Sequence, residues 1–238
     1  MRTIDLERLA LHDGDVVLDL GCGQGRHMHA LYYAKRLHAV GVDLSLDDLL
    51  ETRNGFGKIP DMEPNSRRAF SLASASAVCL PFADASFDAV ICSEVLEHIP
   101  DYHKALDEIR RVLKINGDLA VSVPRSWPEW ICWKLSPDGY AIEPGGHIRI
   151  FAAHTLQRDI EQRGFKFHGR HWAHSLHVPY WWLQCAIWDR RKDSRAINLY
   201  HRFLVWDILQ RPWLTRWLDR VLNPVMGKSV VMYFGMGK

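Results

Sequence analysis

Glu94, Glu97 and His98 lie close together in Ser93-Glu94-Val95-Leu96-Glu97-His98. If residues 94–98 form a helical turn, positions i, i+3 and i+4 share one face, and the two carboxylates and the imidazole converge. Such a set suits a divalent metal (Mg²⁺, Mn²⁺, Fe²⁺ or Zn²⁺). It equally suits metal-free acid–base work by the histidine. In the plainest alternative, Glu94 only favours a helix N-terminus. A second constellation lies upstream. The apolar run Val16-Val17-Leu18-Asp19-Leu20 enters Gly21-Cys22-Gly23-Gln24-Gly25, a strand running into a glycine turn where a nucleotide-like ligand can approach the backbone.

Positioning these residues requires a sheet. Apolar runs at 16–20, 39–43, 70–75, 89–92, 119–123 and 165–168 read as strands, the third weakly. Helical patterns fall at 4–11, 26–36, 46–53, 102–113 and 155–163, with Ser45 and Thr155 as N-caps. Residues 54–70 read as a long loop, and Asn116-Gly117 as a helix stop. Strands alternating with helices predict a parallel sheet covered on both faces. Residues 229–234 form a last strand candidate. Residues 126–150 read as a substrate cap, and 175–228 as a helical insertion between the last two strands of a single domain.

Gly21-x-Gly23-x-Gly25 is not the Gly-x-Gly-x-x-Gly dinucleotide fingerprint, and alone it is weak evidence. It does not stand alone. Leu18-Asp19-Leu20-Gly21-Cys22-Gly23-x-Gly25, Gly41-Val42-Asp43-Leu44-Ser45, Leu80-Pro81-Phe82-x-Asp84-x-Ser86-Phe87-Asp88, Val95-Leu96-Glu97-His98 and Glu108-x-x-Arg111-Val112-Leu113-Lys114-x-x-Gly117 occur in this order. The series resembles the class I S-adenosylmethionine-dependent methyltransferases with a type-11-like domain, over residues 10–125 plus 146–165. The resemblance implies an α/β, Rossmann-like, seven-stranded, mostly parallel sheet with the last strand antiparallel, plus the helical cap and insertion. It also implies S-adenosylmethionine as cofactor. Asp19, Gly21 and Gly23 would line its methionine part and Asp43 its ribose, with Cys22, Gly25, Leu44, Ser76, Ala77 and Ser93 also in the cofactor site. Ser76 stands where the family often has an acid beside the adenine amine.

The Glu-x-x-Glu-His sequence is similar to that of the ubiquinone-biosynthesis O-methyltransferases and the small-RNA 2′-O-methyltransferases. Some bacterial sugar O-methyltransferases look alike too. In the RNA group a further histidine completes the site, and His147 in Gly146-His147-Ile148-Arg149 is its match here. The resemblance implies Glu94, Glu97, His98 and His147 as metal ligands, with Glu97, His98 and His147 taking part in catalysis. The expected reaction is O-methylation of a small-molecule acceptor: a saccharide, a quinone precursor or a lipid-linked glycan. A metal-independent C- or N-methyltransferase and a non-catalytic S-adenosylmethionine-binding protein are the alternatives.

Composition narrows the partners. A net charge of +2 carries no basic stripe for nucleic acid. Five cysteines show neither metal spacing nor a disulfide framework. Without an apolar signal core, a reducing cytoplasm is the default compartment. All ten tryptophans lie at or after Trp127. Trp127, Trp130 and Trp133 are placed for a cap over the site. Trp206, Trp213 and Trp217 recur with leucines at helical spacing, as core or dimer contacts do. The Trp/Arg-rich insertion is open both to peripheral membrane contact and to a homodimer. His168, His171, His174 and His177 read as surface or substrate-side residues.

Overall fold

The computed structural model describes residues 2–57, 68–136, 138, 140 and 146–237. Its first half alternates strands and helices: β1 (Val16–Leu20), α1 (Arg26–Ala34), β2 (His38–Asp43), α2 (Leu46–Gly57), β3 (Ala69–Ser74), β4 (Phe87–Ser93) and α3 (Tyr102–Val112). There follow β5 (Leu113–Pro124), α4 (Ser126–Leu135), α5 (Ala153–Glu161) and β6 (Phe165–Ala173). Three further helices, α6 (Val178–Ala186), α7 (Arg195–Gln210) and α8 (Trp213–Met226), precede β7 (Ser229–Met236). The strands form a seven-stranded sheet in the order β3-β2-β1-β4-β5-β7-β6. β7 runs antiparallel to both neighbours and the other pairings are parallel, as the sequence predicts.

The pleat divides each apolar run between two cores. Leu18, Leu20, Val90, Cys92, Met232 and Phe234 join α3 and α5 on one face. Val17, Ala89, Ile91, Val231 and Tyr233 join α1 and the N-terminal Ile4, Leu6 and Leu9 on the other. A sheet covered on both faces needs this uninterrupted apolarity.

Several element boundaries differ from the sequence reading. Only Leu6–Arg8 of the first helix forms, as one 3-10 turn. α2 continues to Gly57, because Phe56 stacks on Phe70 at 3.9 Å and meets His29 edge-on, contacts that outweigh two glycines. Residues 58–67, predicted as loop, lie outside the described residues. α3 stops at Val112 rather than at Asn116-Gly117, where Leu113 turns extended. The left-handed Asn116 (φ 63°) therefore sits within β5. The cap of α5 is Ala152, not Thr155. α4 forms as a helix within the predicted cap.

The Glu108-x-x-Arg111-x-x-Lys114 sequence braces the loop beneath the site. Arg111 donates to both Glu108 oxygens, to Asp84 and to the Phe82 and Leu80 carbonyls. Glu108 accepts from the Leu80 N–H at 2.7 Å, and the guanidinium holds its carboxyl below the usual range. Lys114 reaches both oxygens of Asp88, which also accepts from Val16 N–H. Truncation at Arg111 leaves carbonyls and a carboxylate without donors. Arg111→Ala is expected to cost about 2–3 kcal/mol, read as a melting point lower by roughly 5–10 °C.

Candidate functional site

The carboxyl ends of β1, β2 and β4 open onto a cavity of about 970 Å³. Residues Gly21, Cys22, Gly23, Asp43, Leu44, Ser76, Ala77, Ser93 and Glu94 all line it. The turn is shaped by positive φ at Gly21 (68°), Gly23 (48°) and Gly25 (82°). A side chain on Gly21 would strike Val95 at 2.3 Å, whereas one on Gly23 would project into open space. That space is where a ligand approaches backbone. α1 begins at Gly25 with no side-chain cap, so its first N–H groups are not closed off by a side chain.

Two acids complement the turn. Asp43 accepts from Gly23 N–H at 2.8 Å and Ser45 N–H at 2.9 Å, fixing its carboxylate against the turn. Ser45 caps α2 through the Asp48 N–H, as predicted. Asp19 is buried beneath the turn; the Arg26 charge and the Met28 N–H act on its carboxylate, but its Oδ2 has no hydrogen-bond partner among the described residues. Burial pushes its carboxyl up to about 7. His27, whose Nε2 accepts from the Ile4 N–H, sits 3.9 Å from Asp19. Burial drives its own pKa down to about 3, so a neutral imidazole gives Asp19 no counter-charge. A buried carboxylate short of a partner beside a nucleotide-sized cavity fits an ammonium group from a ligand. These groups fit S-adenosylmethionine: Asp43 lines the cavity, and Asp19 lies buried just beneath the lining. Ser76 and Ala77 offer no acid on the adenine side.

At the β4 end, three ligating side chains meet. Glu97, His98 and His147 each present one donor atom within 4.8 Å of the others. The two histidines are far apart in sequence, and a backbone bond and a side-chain bond to a backbone carbonyl join their segments. Ile148 N–H donates to the Glu97 carbonyl (3.0 Å), and Arg149 donates to the Pro100 carbonyl (2.6 Å). His98 Nδ1 donates to the Gly146 carbonyl at 3.1 Å. His147 Nδ1 lies 2.5 Å from Glu129 Oε1. With both Nδ1 atoms engaged, both Nε2 atoms are left to act. This is the outer-shell arrangement that orients imidazoles on a metal. Burial also lowers the His98 pKa, keeping the ring neutral and its lone pair available. Glu97 is 0% exposed, and neither of its carboxylate oxygens has a hydrogen-bond partner among the described residues. Burial, reinforced by Glu94, pushes its pKa well above the usual range. A buried carboxylate in this state takes up either a proton or a cation.

Glu94 is not brought into this trio. Residues 94–98 do not form the continuous turn expected of them: Glu94 is left-handed (φ 58°) and only Leu96–His98 coil as 3-10. Its carboxylate instead accepts from Ser122 (3.0 Å) and faces Lys228 at 3.8 Å. Ser93 pairs with the Ser122 hydroxyl.

Glu129 is the functional residue the sequence reading missed. It is 3% exposed and also accepts from Trp133 and Tyr140. In sequence it looks like an ordinary first-turn acid of a helix. Cavity-lining Arg26 and His27 were likewise read only as helix residues. Of the four spaced histidines, His174 is buried rather than at the surface, paired with Thr3.

A family model described as a methyltransferase domain matches residues 4–168. The O-methyltransferase rstn1 of Aspergillus nomiae is 33% identical over 117 residues, 49% of this chain and 49% of that protein. The 27-O-demethylrifamycin SV methyltransferase of Amycolatopsis mediterranei is 34% identical over 113 residues, 48% of this chain and 40% of that protein. The aligned region is thus about half the length of the curated relatives, or less. Among solved structures, YcgJ of Bacillus subtilis superposes with a TM-score of 0.63 at 17% identity, over 98% of this chain and 96% of that one, which shows a common fold. With the matched domain covering the first five strands, the glycine turn and both acids, the chain belongs to the class I S-adenosylmethionine-dependent methyltransferase family.

Proposed function

We propose that the protein is an S-adenosylmethionine-dependent methyltransferase acting on the hydroxyl oxygen of a small-molecule acceptor, with a divalent cation held by Glu97, His98 and His147. The acceptor class we favour is a saccharide, a quinone precursor or a lipid-linked glycan. The observation that carries the metal is Glu97, fully buried, with neither oxygen partnered among the described residues and two oriented imidazoles beside it. A two-histidine, one-carboxylate set suits borderline ions such as Fe²⁺, Mn²⁺ or Zn²⁺ better than Mg²⁺.

Bound S-adenosylmethionine supplies an electrophilic methyl on a sulfonium whose leaving group is already good. A cation in the trio would lower the pKa of the acceptor hydroxyl. The chain's own residues do the rest. Asp19 holds the ammonium, Asp43 the ribose, and the Gly21–Gly25 turn admits the ligand to the backbone. The acceptor's proton must leave as the new C–O bond forms. With His147 Nε2 on the cation and Nδ1 on Glu129, that ring has no nitrogen free to take it, so a hydroxyl acidified by the cation would pass its proton to water. The Glu129–His147 pair also favours a second reading, a metal-free general base.

The test is calorimetric titration with S-adenosylmethionine, then transfer of labelled methyl to hydroxyl acceptors with and without EDTA. Absence of cofactor binding overturns the proposal as a whole. Products methylated on nitrogen or carbon overturn the O-methylation. Undiminished transfer in EDTA removes the metal and leaves the general base.

A further inference from the structure

Helix α8 is mounted inside out. A surface helix of a globular protein normally turns its apolar stripe to the core. Here the polar side faces the body. Thr215 is buried, Asp219 Oδ1 accepts from the Ser175 hydroxyl (2.5 Å) and the Leu176 N–H (3.2 Å), and Asn223 Oδ1 accepts from the Ser175 N–H (2.9 Å). The opposite side carries Trp213, Leu214, Trp217, Val221 and Val225, all exposed, with Trp213 at 78% and Val225 at 65%. The anticipated role of Trp206, Trp213 and Trp217 as core residues is therefore overturned, since each is about half exposed or more.

Helix α7 continues this surface. Ile197 and Leu204 anchor it inward. Its outer side interleaves Leu199 (68% exposed), Trp206 and Leu209 (71%) with Arg195 and Arg202, at spacings of three and four. The two helices meet at Arg211, left-handed at φ 47°, followed by Pro212. The segment that carries this apolar face is basic. Residues 189–220 hold eight Arg or Lys against four Asp, a net +4 in a chain whose total is +2. Asp219 is turned inward to Ser175.

We propose that the outer face of α7 and α8 docks on an anionic lipid bilayer, with both helices lying in the interfacial plane. Tryptophan suits the headgroup boundary because its ring is apolar and its N–H is polar. Interleaved arginines reach the lipid phosphates while their stems stay apolar. Charge decides against the competing occupant. A two-fold dimer puts the same patch against itself, so one net +4 segment would face another. A sheet of negative headgroups complements it. Neither helix spans: among the described residues no helix is long and apolar enough to cross a membrane. The inference does not depend on the reading of the site.

The test is sedimentation of the full chain with phosphatidylcholine vesicles, with and without phosphatidylglycerol, alongside the solution mass by light scattering. Binding is expected to be roughly tenfold or more tighter on anionic vesicles, and to weaken in high salt. The double variant Trp213→Ser/Trp217→Ser is expected to lose at least roughly tenfold while keeping the wild-type melting point, since both side chains are exposed. Should that variant fail to fold, Arg195→Glu/Arg202→Glu is expected to lose binding in the same way. Wild-type protein that stays in the supernatant, binds neutral vesicles equally well, or is matched by the variants overturns the proposal. A dimer that the tryptophan variant dissolves, with no vesicle binding, also overturns it and assigns the face to self-association.

Discussion

Glu97→Gln is expected to reduce methyl transfer by roughly a thousandfold while making the metal-free protein more stable. Both effects come from one carboxylate. Glu97 is wholly buried and its oxygens find no donor among the described residues, so at neutral pH the metal-free protein bears the cost of an uncompensated buried charge, or of protonating it. A neutral amide of the same shape removes the charge but keeps the volume. The gain is expected at about 1–2 kcal/mol, read as a melting point higher by roughly 2–6 °C in EDTA. Added Mn²⁺ or Zn²⁺ should then raise the melting point of wild type and leave that of the variant unmoved. The activity loss follows from removing the anionic ligand of the trio. Glu129→Gln should act more mildly, weakening metal affinity by roughly 10–100-fold through its loosened hold on His147. Equal wild-type and Glu97→Gln activity in metal-replete assays would falsify the assignment.

Cofactor affinity is expected to rise with pH through about 7, and Asp19→Asn is expected to abolish that rise. Burial holds the Asp19 carboxyl at about 7 in the ligand-free protein. Below that value it is protonated and offers no charge to an ammonium, so affinity should weaken by up to roughly tenfold per pH unit. Above it the charge is present. At pH 8, Asp19→Asn should raise the Kd for S-adenosylmethionine by about 100-fold, the loss of one charge-assisted buried contact. The same shift affects folding in the opposite sense. The folded pKa is raised from 3.8 to about 7, so its stabilising contribution is complete below the unfolded value and is lost as pH rises through 7. Titrations of binding and of melting temperature against pH should therefore move in opposite directions in wild type, and both should flatten in Asp19→Asn. Parallel curves for the two proteins would place the titrating group elsewhere.

Much of the sheet and the cofactor cavity was legible because both are local. A run such as Val16–Leu20 ending in alternate glycines admits few backbone paths, and Asp43 needs only to end the adjacent parallel strand to reach Gly23. The second site was legible in part. His98 and His147 stood out as residue types, but Glu94 and Glu97 looked equivalent until the backbone at Glu94 turned left-handed and sent its carboxylate to Ser122. Glu129 carried no signal, since its role depends on α4 bringing it against His147. The insertion shows a different limit. Periodicity revealed that Trp213 and Trp217 share a side of a helix with Leu214. It does not say which side is inward, because that depends on what Ser175 and Leu176 offer to Asp219 and Asn223.

The strand order has a consequence for how the molecule is made. β7 lies between β5 and β6 in space but leaves the ribosome after both, with α6, α7 and α8 produced in between. Until it arrives, β6 has no neighbour and β5 has an open edge, and part of each core lacks the side chains that close it. Completing the sheet therefore requires a late insertion between β5 and β6, a non-local pairing of the slow kind. Chaperone dependence and sensitivity to clipping near residue 229 should be concentrated at this step, far from the chemistry that the finished sheet supports.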